Sequence, residues 1–230
     1  MNFIDYSQVF QNKIKVFLTQ VDNYWDSGYP STRINKINNC FNLNGRLIIA
    51  PKQIHSNKVA VLTNQLTISP ECDAIIYQSS SNIVGTISVA DCIPICLYDS
   101  KSEHIALVHS GWRGTDKKII LKTISELERL GANKNNLKIF LGPSIKGCCY
   151  EVSKKIATRF DSPAILARDG KYFVDLPNQV KFDLESMCIP SKNIVLDSLC
   201  TYEDNKCHSF RRDKESSGRM TLIAYREDIR

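Results

Sequence analysis

Apolar positions in this chain cluster in short runs rich in branched side chains, at 47–50, 59–63, 74–77, 83–89, 95–98, 105–109, 137–141, 172–174, 194–196 and 220–225. Each has the length and composition of a β-strand, and turn-forming residues bound most of them. A helical period stands out at 116–130, where Ile119, Ile120, Thr123, Ile124, Leu127 and Leu130 trace one apolar face and Gly131 supplies a C-terminal stop. Shorter helical patterns cover 152–160 and 177–187. Strands outnumber helices and gather in the first half, which predicts an α+β fold with a mixed sheet and argues against a regular βαβ winding. No repeat, Pro/Ser-rich linker or abrupt shift in composition divides the chain, so residues 1–230 read as a single domain.

Composition narrows the class. With 230 residues, 43% hydrophobic, 23% charged, 10 Gly and 8 Pro, the chain is long enough to bury a core and unlike a disordered or fibrous sequence. The net charge of +6 is spread without a run of five basic residues, which gives only weak support to binding a polyanion such as nucleic acid and suits a small anionic substrate equally well. Asp5, Lys13 and Lys15 interrupt the first twenty residues, so no secretory signal is expected. No apolar run reaches the roughly 20 residues of a membrane-spanning helix, and the expected location is the cytoplasm. The nine cysteines, an odd number, then read as reduced core residues, metal ligands or nucleophiles rather than as a disulfide framework.

Of the four histidines, His55, His104, His109 and His208, two lie at strand ends beside turn-forming residues: His55 in QIHSNKV and His109 in ALVHSGWRGT. Cys92, in SVADCIPICLYD, follows an apolar strand, and Pro94 just after it is expected to interrupt the sheet. Two imidazoles and a thiolate make a zinc set with the fourth position open, the mark of a catalytic metal site, and the thiolate disfavours magnesium and calcium. The separations, 37 residues from His55 to Cys92 and 17 from Cys92 to His109, match no short metal motif. The residues alone therefore leave open hydrogen-bonded structural histidines and a buried thiol.

Cys96 reads as core. Cys148 and Cys149 in GPSIKGCCYEV read as core or supporting residues more readily than as ligands. Cys200, Cys207 and His208 form a C-x6-C-H cluster, read as solvent-facing turn residues with a second metal site as the alternative. Arg113, Arg211 and Arg212 are the anion-binding candidates, because a guanidinium holds phosphate or carboxylate through two parallel hydrogen bonds. Asp91 could orient a histidine or cap a turn.

Taken together and in order, QIHSNKV, VADCIPICLYD, VHSGWRGT, GPSIKGCCYEV, CTYEDNKCHSFRRD and SGRMTLIAY resemble the motif set of the YfiH/laccase-domain family over about 53–225. The resemblance implies central mixed β-sheets covered by helices in α/β/β/α layers. It also implies one zinc held by His55, Cys92 and His109, which would be the catalytic residues, with Arg113, Arg211 and Arg212 binding substrate. The implied activity is phosphorolysis of adenosine, inosine and S-methyl-5'-thioadenosine to base and sugar 1-phosphate, with deamination of adenosine. Its partners would be purine nucleosides and phosphate. The family's older label is polyphenol oxidase with copper. Copper is the other ion this donor set accepts, but four histidines are too few for a multicopper centre. Competing readings are a cysteine hydrolase with Cys92 as nucleophile and His109 as base, an editor of peptidoglycan precursors, and a non-catalytic binding module. Segment 1–46 departs from the family pattern, with Asn42, Leu43 and Asn44 as a remnant of its Leu-Asn pair.

Overall fold

A computed structural model of the chain describes residues 2–22, 25, 30–63 and 69–227. The branched and aromatic runs form strands β1 (Phe3–Asp5), β2 (Lys15–Thr19), β3 (Leu47–Ile49), β4 (Val59–Val61), β5 (Ala74–Gln78), β6 (Ile83–Val89), β7 (Ile93–Asp99) and β8 (His104–Ser110). They continue with β9 (Leu137–Leu141), β10 (Glu151–Val152), β11 (Ile165–Arg168), β12 (Lys171–Val174), β13 (Ile194–Leu196) and β14 (Met220–Tyr225). The helices are α1 (Pro30–Phe41), α2 (Trp112–Asp116), α3 (Ile119–Arg129), α4 (Lys154–Ala157), α5 (Leu176–Ser186) and α6 (Phe210–Asp213). None is long and apolar enough to cross a membrane.

Two mixed sheets stack face to face. One has the order β13-β9-β7-β8-β5-β4 and the other β1-β2-β14-β6-β3, while β10-β12-β11 form a small third sheet. Strand alternation assigns the faces. On β7, Ile93, Ile95 and Leu97 join the apolar residues of α3 and α5 in one core. Cys96 and Tyr98 point the other way, into a second core shared with Val16, Leu18, Ile87, Leu222 and Ala224 of the opposite sheet. A third cluster puts Ile37 of α1 with Phe17, Val84, Ile223 and Tyr225 on that sheet's outer face. The layers are therefore α/β/β/α, as the resemblance implied.

Some elements differ from the sequence reading. Strands β1, β2, β10 and β11 were not expected, and the 152–160 helix shrinks to α4. The 116–130 helix is preceded by a separate turn of helix, α2, because Lys118 takes a left-handed conformation with φ of 55°. Pro94 does not interrupt the sheet: it lies inside central β7, opposite His109. Its carbonyl accepts from the Gly142 N–H at 2.9 Å. The N and O of a strand residue face the same neighbour, so its missing N–H falls where β9 is already ending. The break at Cys92 lies one step earlier, in the bend where the chain leaves β6 for β7 and changes sheets.

Candidate active site

Three segments far apart in sequence meet where the sheets part. His109 is the next-to-last residue of β8 and is buried. Cys92 sits in the β6–β7 bend after Asp91, which is left-handed with φ of 79°. His55 is exposed in the connection between β3 and β4, also left-handed with φ of 56°. One donor atom from each of His55, Cys92 and His109 lies within 4.8 Å of the other two, and the imidazoles meet edge to face with centroids 4.8 Å apart.

The residue that builds this arrangement was not singled out from sequence. Asp73, fully buried at the head of β5, accepts from the backbone N–H of His55 at 3.0 Å and of Ser56 at 2.6 Å. It also accepts from the Ser56 hydroxyl at 2.7 Å and pairs with His109 Nδ1 at 2.8 Å. One carboxylate thus fixes the strained His55 loop and the His109 ring together. Burial opposes its charge, but the bonds from His109 and Ser56 hold its pKa down at about 2. An ionised carboxylate accepts only, so His109 Nδ1 carries the proton and Nε2 is left for an ion. Asp91, read as a histidine orienter or a turn cap, bonds to neither histidine: its carboxylate accepts from the Thr201 hydroxyl at 2.7 Å and the Arg211 N–H at 2.6 Å.

Burial would raise the Cys92 thiol, yet His109 and then His55 hold it down at about 6. Burial likewise opposes the charged form of His109, while Asp73 and Cys92 lift it to about 9. With protons alone to share, the site favours a thiolate beside an imidazolium. Two imidazoles, a thiolate and a carboxylate behind one of the imidazoles fit a zinc-like ion.

Gly111 is a spatial requirement of this centre. A Cβ there would come 2.7 Å from Cys92 Sγ and 3.4 Å from the His55 ring. Gly111→Ala is accordingly expected to push the sulfur aside and lower metal affinity about 10-fold or more while the fold persists, which metal titration and circular dichroism would check.

The centre opens into a cleft of about 570 Å³ whose lining includes Trp112, Arg113, Tyr150, Phe210, Arg211, Lys214 and Arg219. Three of its cations lie over aromatic rings: Arg113 over Trp112 at 4.3 Å, Arg211 over Tyr150 at 5.0 Å and Arg219 over Phe210 at 5.8 Å. Gln53 is pinned by a reciprocal pair of 2.7 Å bonds with the Ser88 backbone. Lys214 and Arg219 were not expected at the site, although both fall within the RRDKESSGRM stretch that carries Arg211.

Other expectations are corrected. Arg212 is outside the cleft lining; its guanidinium pairs with Asp213 and donates to the carbonyls of Thr201 at 3.0 Å and Cys207 at 2.8 Å, bracing the 201–207 loop. Cys200, Cys207 and His208 are buried rather than solvent-facing, and Cys207 packs between the sheets. Cys148, read as core or supporting, is exposed.

A family model described as "Multi-copper polyphenol oxidoreductase laccase" matches residues 31–227. The chain belongs to this laccase family. It is 34% identical over 173 residues to a purine nucleoside phosphorylase of Borreliella burgdorferi, covering 72% of this chain and 74% of that one. It is 30% identical over 198 residues to adenosine deaminase RL5 of an unknown prokaryotic organism, covering 78% and 75%. The crystal structure of Bacillus licheniformis YfiH superposes with a TM-score of 0.82 at 21% identity, over 94% of each chain. The multi-copper description finds few donors here: of the chain's four histidines, His104 and His208 stand outside the cleft lining.

Proposed function

We propose that this laccase-family chain is a zinc-dependent purine nucleoside phosphorylase that also deaminates adenosine. One observation carries the reading: the His55, Cys92 and His109 donors converge in a cleft also lined by Arg113, Arg211, Lys214 and Arg219. The three donors would hold the metal, and a bound zinc supplies Lewis-acid polarisation and activation of an oxygen ligand. Copper is the competing occupant of the same donors. Nucleoside phosphorylases and an adenosine deaminase among the relatives support this substrate class.

The chain's own residues account for the remaining demands. Phosphorolysis forms a bond from a phosphate oxygen to the anomeric carbon, breaks the glycosidic bond and releases the base with its electron pair, to be protonated. The cationic residues of the cleft bind and orient the phosphate, while Trp112, Tyr150 and Phe210 supply flat apolar surface for a nucleoside. Asp73 holds both histidines in place through the change. The nine free thiols suit a reducing compartment such as the cytoplasm.

The test is to incubate zinc-quantified protein with adenosine, with and without phosphate, and to separate adenine, inosine and hypoxanthine. Phosphate-dependent adenine release is the expected result, with phosphate-independent inosine as the deaminase product. No purine product from protein carrying zinc would overturn the reading and redirect attention to peptidoglycan precursors. Arg113→Ala is expected to raise the KM for phosphate about 10- to 100-fold, the loss of one charge-assisted hydrogen bond, with zinc content unchanged; steady-state kinetics against phosphate checks it.

A further inference from the structure

Outside the cleft, three sulfurs and a carboxylate from two loops come together. Cys148 and Cys149 lie in the segment after β9, and Cys200 and Glu203 in the segment after β13. The segments are tied by a parallel bridge between Ser144 and Cys200, in which the Thr201 N–H donates to the Ser144 carbonyl at 3.2 Å. Lys146 adds a second tie, its ammonium donating to the Asp197 carbonyl at 2.8 Å. Within each segment a turn brings the ligands inward. The Cys149 N–H donates to the Lys146 carbonyl at 3.0 Å, and the Glu203 N–H to the Cys200 carbonyl at 3.2 Å. Cys148 Sγ ends 3.3 Å from Cys149 Sγ and 3.7 Å from Cys200 Sγ, and one donor atom from each of the four residues lies within 4.8 Å of the others.

We propose that Cys148, Cys149, Cys200 and Glu203 form a second metal site, a structural one for a thiophilic divalent ion with zinc as the fitting occupant. Sulfurs bound at about 2.3 Å to a tetrahedral zinc stand about 3.8 Å apart, so the observed spacings need only small side-chain adjustments. The thiolates exclude magnesium and calcium. Four protein ligands close the coordination sphere, which sets this site apart from the three-donor centre of His55, Cys92 and His109. The Lys146 ammonium, shared with the carboxylates of Asp175 and Asp197, also brings positive charge beside Cys200 and Cys148. A disulfide would use only two of the sulfurs, after drawing them to about 2.05 Å, and would leave the third sulfur and Glu203 without a role.

The ion would staple two segments that support the cleft. Tyr150, next to Cys149, lines the cleft beneath Arg211. Thr201, next to Cys200, holds Asp91 beside Cys92. The site goes beyond the phosphorylase reading and does not depend on it.

The experiment uses the full chain, reduced and stripped with a chelator without oxygen, then titrated with zinc and separately with cobalt. Wild-type protein is expected to bind two equivalents. Cys148→Ser changes an exposed side chain and should bind one; Cys149→Ser should match it. Cys92→Ala should also bind one, and its cobalt form should keep an intense thiolate-to-metal charge-transfer band that Cys148→Ser removes in the double variant. The proposal is overturned if the fully reduced wild type binds a single equivalent that Cys92→Ala abolishes, or if Cys148→Ser still binds two. It is equally overturned if peptide mapping of the metal-exposed protein finds these thiols joined in a disulfide. In each case the first centre is scored separately, through the equivalent lost with Cys92.

Discussion

Cys92→Ala is expected to remove the metal of the first centre and with it both nucleoside reactions, reducing turnover by about 10³-fold or more. The thiolate is the one anionic donor among His55, Cys92 and His109, and its loss leaves two imidazoles for a divalent ion. The side chain is small and borders the cleft, so the fold should survive. Metal analysis of the purified variant beside adenosine assays with and without phosphate makes the measurement. Full activity in a Cys92→Ala protein that has lost the first centre's metal equivalent would refute the assignment. The cysteine-hydrolase alternative separates cleanly from it, because chelator-stripped wild type would then stay active and form a covalent adduct at Cys92, whereas a metal centre goes silent and recovers with zinc.

Asp73→Asn should be nearly as damaging, although Asp73 is not itself one of the three donors. All its partners are donors: three backbone N–H groups, a hydroxyl and the His109 ring. A carboxamide keeps one acceptor oxygen and turns an NH₂ toward groups that also donate, inside a fully buried site. Breaking such a pair costs about 3–5 kcal/mol, which in a protein of this size lowers Tm by roughly 10 °C. The freed His55 loop and His109 ring should weaken metal binding by about 10- to 100-fold. The pH dependence carries the signature. The Asp73 pKa falls from 3.8 to about 2 on folding, so its contribution, on the order of 2 kcal/mol, is present above about pH 4 and lost as pH drops through 2. In metal-free protein the His109 pKa rises from 6.5 to about 9, so that contribution is full below pH 6.5 and lost as pH climbs through 9. Denaturant unfolding of the stripped protein should show both limbs, and the Asn variant should flatten them; unchanged limbs would mean that Asp73 does not govern His109.

Legibility in the sequence followed locality. Strands with dense branched residues, such as β6 and β14, were readable end to end because both their faces are buried and propensity agrees with burial. β2 was not, since KVFLT sits in a Lys- and Gln-flanked stretch where period and length do not separate strand from helix. The left-handed Lys118 that divides α2 from α3 carries no glycine to announce it. At the site, His55, Cys92, His109, Arg113 and Arg211 lay in motifs, but Asp73 is 18 and 36 positions from its two histidines, reaching His109 through β5 pairing with β8 and the His55 loop through β4 pairing with β5. Its one local sign was a carboxylate set among Cys72, Ala74 and two isoleucines. Cys148 and Cys200 meet across 52 positions for the same reason, through a bridge that no motif spacing reveals.

The place of β14 has a consequence for how the protein is made. This last strand lies inside its sheet, between β2 and β6, where Leu222 pairs with Leu18 on one side and Ile87 on the other. A ribosome building from the first residue therefore releases β2 long before its partner exists, and at about 5–20 residues per second the nascent chain waits on the order of 10 seconds or more with an apolar edge uncovered. The sheet closes only once β14 itself has been made. Arg211, Lys214 and Arg219 come from the stretch just before β14, so the cleft acquires these cations after His55, Cys92 and His109 have been made, and a chain that stopped ahead of Met220 would lack the strand that completes the sheet.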